Sequence, residues 1–171
     1  MKKNGKLTTY EIVLFGVLGA LTFAAKWVMS MIPNIEPVSL MILLFAVTFG
    51  WKALYPTGLY VAMEILFYGI NVWNIYYLYV WAILAILAIL FRKMEDPLGW
   101  AILSGAFGLA FGALCGIADI FLYGFGTAVA KWVSGIWFDL LHCGGNFVIT
   151  LVLFAPMRKL LKKLYGRIHR V

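Results

Sequence analysis

Charged residues are scarce in this sequence. They account for 12% of the 171 residues, whereas hydrophobic residues account for 64%, and the mean hydropathy is +0.96. A chain with so few polar side chains cannot coat the surface of a water-soluble globule. The composition therefore predicts an integral membrane protein.

The sequence also lacks the motifs of common catalytic and cofactor sites. It contains neither a GxxxxGK(S/T) loop nor a GxGxxG turn, so the usual phosphate cradles are excluded. The sequence has two histidines, His142 and His169, and the second lies in a basic tail. The one conceivable set of metal ligands would join Asp139, His142 and Cys143 to Cys115. Cys115 and Cys143 lie in apolar segments and form no CxxC pair. We expect no metal, no cofactor and no enzymatic activity.

The positive charge is confined to the connections and the ends of the chain. The net charge is +7, and all of the 14 lysine and arginine residues except Lys26 and Lys131 fall at the N-terminus, near Lys52 and Arg92, or in the C-terminal tail. Such residues flank apolar runs and form no basic face, so a nucleic-acid partner is not expected. The positive-inside rule predicts that both termini are cytoplasmic.

Apolar runs and their breakers predict an all-α bundle of six transmembrane helices. The predicted helices are Thr9–Ile32, Val38–Phe49, Thr57–Tyr68, Leu78–Phe91, Leu98–Tyr123 and Trp132–Leu164. The second and third are shorter than the ~20 residues that a perpendicular crossing needs, so we expect a tilted pair. The predicted outer loops are Pro33–Pro37, Gly69–Tyr79 and Gly124–Ser134.

Small residues recur along two of the predicted helices. In the first helix they are Gly16, Ala20 and Ala24; in the fifth they are Gly105, Gly108, Gly112 and Gly116. Small residues at this spacing let another helix approach closely. Each stripe therefore predicts a helix partner without naming it.

Three polar residues of the last helix fall on one face. Asp139, His142 and Asn146 are spaced i, i+3 and i+7, and a helix stacks such residues above one another. Polar groups at membrane depth are costly and usually face a cavity or each other. The face either lines a site or bonds neighbouring helices.

Other notable polar residues lie in the segment Gly69–Tyr79 and within the apolar helices. The segment Gly69–Tyr79 is dense in Trp, Tyr and Asn, which is typical either of an interfacial aromatic belt or of a pocket wall. Glu64 is expected to be protonated or paired, and Lys26 to extend its ammonium outward to the interface.

The order of these features resembles the substrate-binding S-component of energy-coupling factor (ECF) vitamin transporters. The resemblance rests on three parts of the sequence: the stripe Gly16-Ala20-Ala24, the turn Pro33-Asn34-Ile35-Glu36-Pro37, and the ending Asp139-Leu140-Leu141-His142-Cys143-Gly144-Gly145-Asn146-Phe147 through Leu153-Phe154-Ala155-Pro156. It covers essentially the whole chain, which would be a single transmembrane substrate-binding domain, residues 1–171.

The resemblance implies a six-helix protein in a prokaryotic cell membrane that captures a vitamin from outside and has no enzymatic activity. It would assemble with a transmembrane coupling subunit and two cytoplasmic ATPases. Gly16, Ala20 and Ala24 would face the coupling subunit, and the protein would topple in the membrane to release its cargo.

The substrate is expected to be large and mostly neutral, because the candidate pocket is rich in Trp, Tyr and Asn and poor in net charge. Cobalamin is the first expectation, followed by pantothenate, a pyridoxine-like vitamin or riboflavin. A membrane scaffold and a small membrane enzyme centred on Asp139 and His142 are the alternatives from other classes. The candidate substrate-binding residues are Asn34, Glu36, Trp73, Asn74, Tyr76, Tyr77, Asp119, Lys131, Trp132, Asp139, His142 and Asn146.

Overall fold

The computed structural model describes residues 7–31, 35 and 37–168, and within these the chain is helical with no strand. Six α-helices follow one another: α1 (Thr9–Met29), α2 (Val38–Phe49), α3 (Leu54–Tyr68), α4 (Val72–Leu90), α5 (Pro97–Tyr123) and α6 (Phe125–Ile168), with a 3₁₀ turn (Gly50–Ala53) between α2 and α3. The prediction of an all-α chain is confirmed for this part of the sequence.

Five helical segments are long and apolar enough to cross a membrane. Helices α2 and α3 count as one of them, because the segment Val38–Tyr68 is continuous and 31 residues long. The helices therefore have the length and composition of a multi-pass membrane protein. The sequence predicted six crossings, with α2 and α3 as a separate tilted pair.

Helix α2 forms the centre of the bundle. Ten of its 12 residues are buried, and its main helical neighbours are α4 and α6. A helix that is apolar all round is either buried in a protein core or spans a membrane, and in α2 the neighbouring helices supply most of the burial. Its bounds match the prediction, and Gly50 ends it with a φ of +60°, which favours glycine.

The start of α4 corrects one predicted boundary. The sequence placed residues 69–79 in an outer loop and began the helix at Leu78, but the helix begins at Val72. Asn71 and Asn74 form a reciprocal cap: the Asn71 side chain accepts a hydrogen bond from the Trp73 amide, and the Asn74 side chain accepts one from the Asn71 amide. This cap satisfies amides at the helix start, so the polar residues begin a helix.

The predicted loop Gly124–Ser134 is also wrong, since α6 begins at Phe125. Gly124 alone makes the turn from α5, with a φ of +85°. No proline follows it to interrupt the helix before Pro156. Helix α6 is 44 residues long, or about 66 Å, so it extends well beyond a bilayer core of ~30 Å.

Smaller corrections concern two other boundaries. Helix α1 ends at Met29 and not at Ile32, and α3 begins at Leu54 and not at Thr57. Pro56 lies in the first turn of α3, where the missing amide hydrogen costs no helical hydrogen bond. The predicted turn residues Asn34 and Glu36 lie outside the described part of the chain.

Glycines of α5 bring its backbone close to that of α6, so α6 is the neighbour of the predicted packing face. A Cβ atom on Gly108 would lie 2.8 Å from the His142 carbonyl oxygen, and one on Gly105 would lie 3.3 Å from the Cys143 carbonyl oxygen. Gly112 contacts the Asp139 carboxylate, whereas a Cβ on Gly116 would meet nothing within 4 Å. Three of the four glycines in the stripe are therefore packing positions.

Helix α1 uses a different glycine for packing than the predicted stripe. Gly19 faces α3, where an added Cβ would lie 2.9 Å from the Pro56 carbonyl oxygen. In the predicted stripe, Gly16 and Ala20 are half-buried, Ala24 is exposed, and a Cβ on Gly16 would meet nothing within 4 Å. The stripe is thus largely uncovered by the rest of the described chain.

We predict that Gly19→Ala destabilises the purified protein and that Gly16→Ala does not. The added methyl group at position 19 meets backbone of α3, and overpacking of this kind costs about 1–3 kcal/mol. At position 16 alanine enters open space and gains helix propensity. Thermal unfolding in detergent would measure both, and equal midpoints for the two variants would contradict the assigned α1–α3 contact.

Polar groups at the N-terminal end of α1 join three elements. Glu11 is 1% exposed; its Oε1 accepts hydrogen bonds from Lys52 Nζ at 2.6 Å and from the Tyr165 hydroxyl at 2.8 Å. Its Oε2 accepts from the Thr8 amide at 2.9 Å. We call Glu11, Lys52 and Tyr165 the basal network, which ties α1 to the 3₁₀ turn and to α6.

Candidate functional site

A cavity of about 840 Å³ lies at the end of the bundle opposite the basal network. The C-terminal parts of α1, α3 and α5 and the N-terminal parts of α4 and α6 form its walls. Its volume is within the ~300–1,000 Å³ range of sites for small organic ligands. We call it the outer cavity, after its predicted side of the membrane.

The outer cavity gathers most of the residues that the sequence put forward as substrate-binding. Nine of those 12 residues line it: Trp73, Asn74, Tyr76, Tyr77, Asp119, Lys131, Trp132, Asp139 and His142. Asn34 and Glu36 lie outside the described residues, and Asn146 is not part of the wall. Residues from three separate segments of the sequence therefore meet at one site.

Asn146 belongs to a buried polar network below the cavity. It is 2% exposed, and its Nδ2 donates to Ser39 Oγ at 3.0 Å and to the Ser104 carbonyl oxygen at 3.3 Å. Thr150 Oγ1 donates to Ser104 Oγ at 2.9 Å. The sequence left two interpretations of the polar face of α6 open, a site or hydrogen bonds between helices. For Asn146 the second interpretation is the observed one.

The first charged group of the cavity is an ion pair between α1 and α3. Lys26 Nζ lies 2.7 Å from Glu64 Oε2 and donates to the Tyr77 hydroxyl at 3.1 Å. The ammonium also lies 4.9 Å from the centre of the Tyr77 ring. Lys26 is therefore bound by a carboxylate of the bundle, and for Glu64 the paired state is the observed one of the two expected from the sequence.

A second ion pair links α5 to the first turns of α6. Lys131 Nζ lies 2.7 Å from Asp119 Oδ1 and donates to the Tyr76 hydroxyl at 3.2 Å. The Tyr76 hydroxyl in turn donates to Asp119 Oδ1 at 2.5 Å. Lys131 also lies 4.7 Å from the centre of the Tyr123 ring.

Adjacent tyrosines on α4 connect the two ion pairs. Consecutive helix residues point about 100° apart, so Tyr76 reaches the Asp119–Lys131 pair while Tyr77 reaches Lys26. The Trp73 ring packs edge-on against Tyr76 with ring centres 5.5 Å apart. The N-terminal turns of α4 are therefore held between both pairs.

Asp139 and His142 form the part of the wall nearest the α5 glycines. Their residues are 6% and 3% exposed. Asp139 Oδ1 accepts a hydrogen bond from the Gly112 amide at 3.0 Å, and the Trp132 side chain lies close enough to interact with the carboxylate. The His142 ring packs edge-on against Phe111 at 4.9 Å. Neither Asp139 Oδ2 nor His142 Nε2 has a hydrogen-bond partner among the described residues.

Several residues of the wall were not among the 12 candidate substrate-binding residues. They are Lys26, Glu64, Tyr68, Asn71, Val72, Phe111, Gly112, Cys115, Tyr123, Gly135 and Phe138. For Lys26 and Glu64 a signal existed, because opposite charges in two apolar helices tend to pair with each other. For the aromatic residues there was none, since membrane helices carry such side chains on lipid-facing surfaces as well.

The cavity has the chemistry of a binding site. Among the described residues, no group of three or more His, Cys, Asp or Glu side chains is arranged to hold a metal ion. Aromatic surfaces with a few fixed polar groups are what small organic ligands require.

Comparison with known proteins gives no relative. The chain matches no family model, no curated protein and no solved structure.

Proposed function

We propose that the protein is the substrate-binding S-component of an ECF-type importer and captures a vitamin from the extracellular side. The observation that carries this proposal is the outer cavity, which gathers nine of the residues put forward from the sequence into one wall. A scaffold subunit would need no such cavity. The sequence resemblance is the reason for proposing this family, and the cavity supports the proposal that the protein binds a small ligand.

The proposed topology has both termini in the cytoplasm and six crossings. In support, the basal network and the α4–α5 turn with Arg92 and Lys93 lie at the end opposite the cavity. The basic residues of α6 from Arg158 onward follow at that end too. Cationic residues favour the cytoplasmic side, so the cavity would open outward.

The proposed partners are a transmembrane coupling subunit and two cytoplasmic ATPases. The uncovered stripe Gly16, Ala20 and Ala24 supports a helix partner on α1, since small residues permit close backbone approach. Gly19 is occupied by α3, which leaves the stripe for another chain. We also propose that the whole bundle topples in the membrane during transport and so releases the vitamin into the cytoplasm.

Among the vitamins considered, the cavity volume favours the smaller ones. Pantothenate, a pyridoxine-like vitamin and riboflavin are of the size that ~300–1,000 Å³ sites enclose. Cobalamin, the first expectation from the sequence, carries a corrin ring and a nucleotide arm. It would need the cavity to widen or would remain partly outside it.

A blocked cavity tests the function directly. Gly135 lines the cavity, and a Cβ there would meet nothing within 4 Å, so the side chain of Gly135→Trp begins in open space and can occupy the cavity. We expect one of these vitamins to raise the unfolding temperature of the wild type, since a ligand at 100 times its Kd adds about 2.7 kcal/mol. The same vitamin should leave Gly135→Trp unchanged.

Gly144→Trp is the matched control. Gly144 lies on the same helix, is exposed, and has open space at its Cβ, but it does not line the cavity. This variant should respond to the vitamin as the wild type does. Equal stabilisation of Gly135→Trp would refute the cavity as the site, and no response to any vitamin would favour the scaffold role.

A further inference from the structure

The charges of the outer cavity do not balance. Among the described residues of its wall, two lysines, Lys26 and Lys131, face three carboxylates, those of Glu64, Asp119 and Asp139. Each lysine is bound at 2.7 Å by one carboxylate, Lys26 by Glu64 and Lys131 by Asp119. Asp139 is left as the carboxylate without a cationic partner among the described residues.

The surroundings of Asp139 make this imbalance costly. The residue is 6% exposed, and its polar neighbours, the Gly112 amide and the Trp132 side chain, are both neutral. Its Oδ2 has no hydrogen-bond partner among the described residues. An ionised group at membrane depth is usually paired with a counter-charge. A ligand that enters the cavity can supply that charge, because Asp139 forms part of the wall.

Aromatic rings near Asp139 are suited to a cation as well. Phe111, Trp132 and Phe138 line the same cavity, and ring faces attract positive charge. The cavity already uses this interaction for its own lysines, which lie 4.9 Å from the Tyr77 ring and 4.7 Å from the Tyr123 ring. A bound cation would find the same kind of environment.

We propose that the outer cavity selects a small organic ligand that carries one positive charge, placed beside Asp139. The charge would be a protonated amine or a cationic ring nitrogen. An anionic ligand is disfavoured, since both lysines are already bound by carboxylates. This inference rests on the proposed function for the statement that the ligand is transported; the charge preference itself depends only on the cavity.

A pair of small probes measures the charge preference. Benzylamine and benzyl alcohol match in size and differ in charge near neutral pH, and their binding can be compared by thermal shift in detergent. We expect benzylamine to bind the wild type about tenfold more tightly, because a hydrogen bond between an ammonium and a carboxylate is stronger than one between neutral groups. The preference should disappear in Asp139→Asn, whose side-chain oxygen can still accept the Gly112 amide hydrogen bond.

Two controls separate the site from general charge effects. Glu95→Gln removes an exposed carboxylate at the opposite end of α5 and should keep the preference. Gly135→Trp fills the cavity and should abolish it. Equal binding of the two probes to the wild type would overturn the inference without any variant, and so would an unchanged preference in Asp139→Asn.

Thermal-shift measurements with vitamins of different charge distinguish failure of this inference from failure of the proposed function. Thiamin and pyridoxamine supply cationic groups, whereas pyridoxine and riboflavin are neutral and pantothenate is anionic. Stabilisation by a cationic vitamin that is lost in Asp139→Asn supports both proposals. A neutral or anionic vitamin that stabilises both proteins equally overturns the charge preference alone. If no vitamin binds but benzylamine shows its preference, the charge preference stands and the vitamin function fails.

Discussion

Gly108→Leu is expected to prevent α5 and α6 from packing and to leave little folded, monodisperse protein. A Cβ atom at this position would already lie 2.8 Å from both the carbonyl carbon and the oxygen of His142. Side chains can rotate away from an added group, but helix backbone cannot. Overpacking by small groups costs about 1–3 kcal/mol, and leucine adds three more carbons than alanine, so we expect a loss of at least about 3 kcal/mol here.

A matched alanine pair isolates the cause. Gly108→Ala places one methyl group against α6 backbone, whereas Gly116→Ala, two turns further along the same helix, places it where nothing lies within 4 Å. Both gain the same helix propensity over glycine, roughly 1 kcal/mol. Unfolding by sodium dodecyl sulfate titration should show a destabilised Gly108→Ala and an unchanged or stabilised Gly116→Ala. Similar stabilities would contradict the close contact between the helices.

The stripe that contains Gly108 shows what the sequence can establish. Spacing alone predicted a close helix neighbour for α5, and the bounds of α5 agree within one residue because Pro97 and Gly124 mark them. The spacing could not name the neighbour, and it gave the same signal for Gly16, which the described chain leaves uncovered. Which stripe is used internally depends on contacts with distant parts of the chain.

The wrong boundaries of α4 and α6 have a common physical cause. Both segments, Asn71–Tyr79 and Gly124–Ser134, carry polar and aromatic side chains that are typical of loops at a membrane surface. Where a cavity lies at the end of the bundle, the same side chains can point into it from helices. The backbone amides of these residues then form the hydrogen bonds of the helix. The pattern of polar and aromatic residues does not distinguish a helix surface that faces a cavity from a loop. The sequence alone therefore could not place the starts of α4 and α6.

The polar face of α6 was predicted correctly, but its members differ in role. Asp139 and His142 line the cavity, while Asn146 binds Ser39, which is 107 residues away in the sequence. Likewise, Lys26 and Glu64 meet across 38 residues. Such pairings depend on how α2 and α3 pack within the bundle. Helical spacing gives the face of a residue, and tertiary contacts decide what that face meets.

Lys52→Met is expected to destabilise the protein by roughly 3 kcal/mol, because it removes the cation bound to a buried carboxylate. Glu11 is 1% exposed, and Lys52 Nζ lies 2.6 Å from its Oε1. Tyr165 and the Thr8 amide continue to donate to Glu11, but they carry no charge. The three elements that meet in the basal network should therefore separate at a lower denaturant concentration.

The loss should depend on the charge of Glu11. In a Glu11→Gln background the buried group is neutral, so Lys52→Met should cost less than about 1 kcal/mol there. A double-mutant cycle of these four proteins, measured by sodium dodecyl sulfate titration, gives the coupling energy. Lys163→Met, which removes an exposed lysine of α6, should have little effect by itself. If Lys52→Met cost the same in both backgrounds, its role would be packing of the alkyl chain, and the basal network would owe its stability to hydrogen bonds without a charge pair.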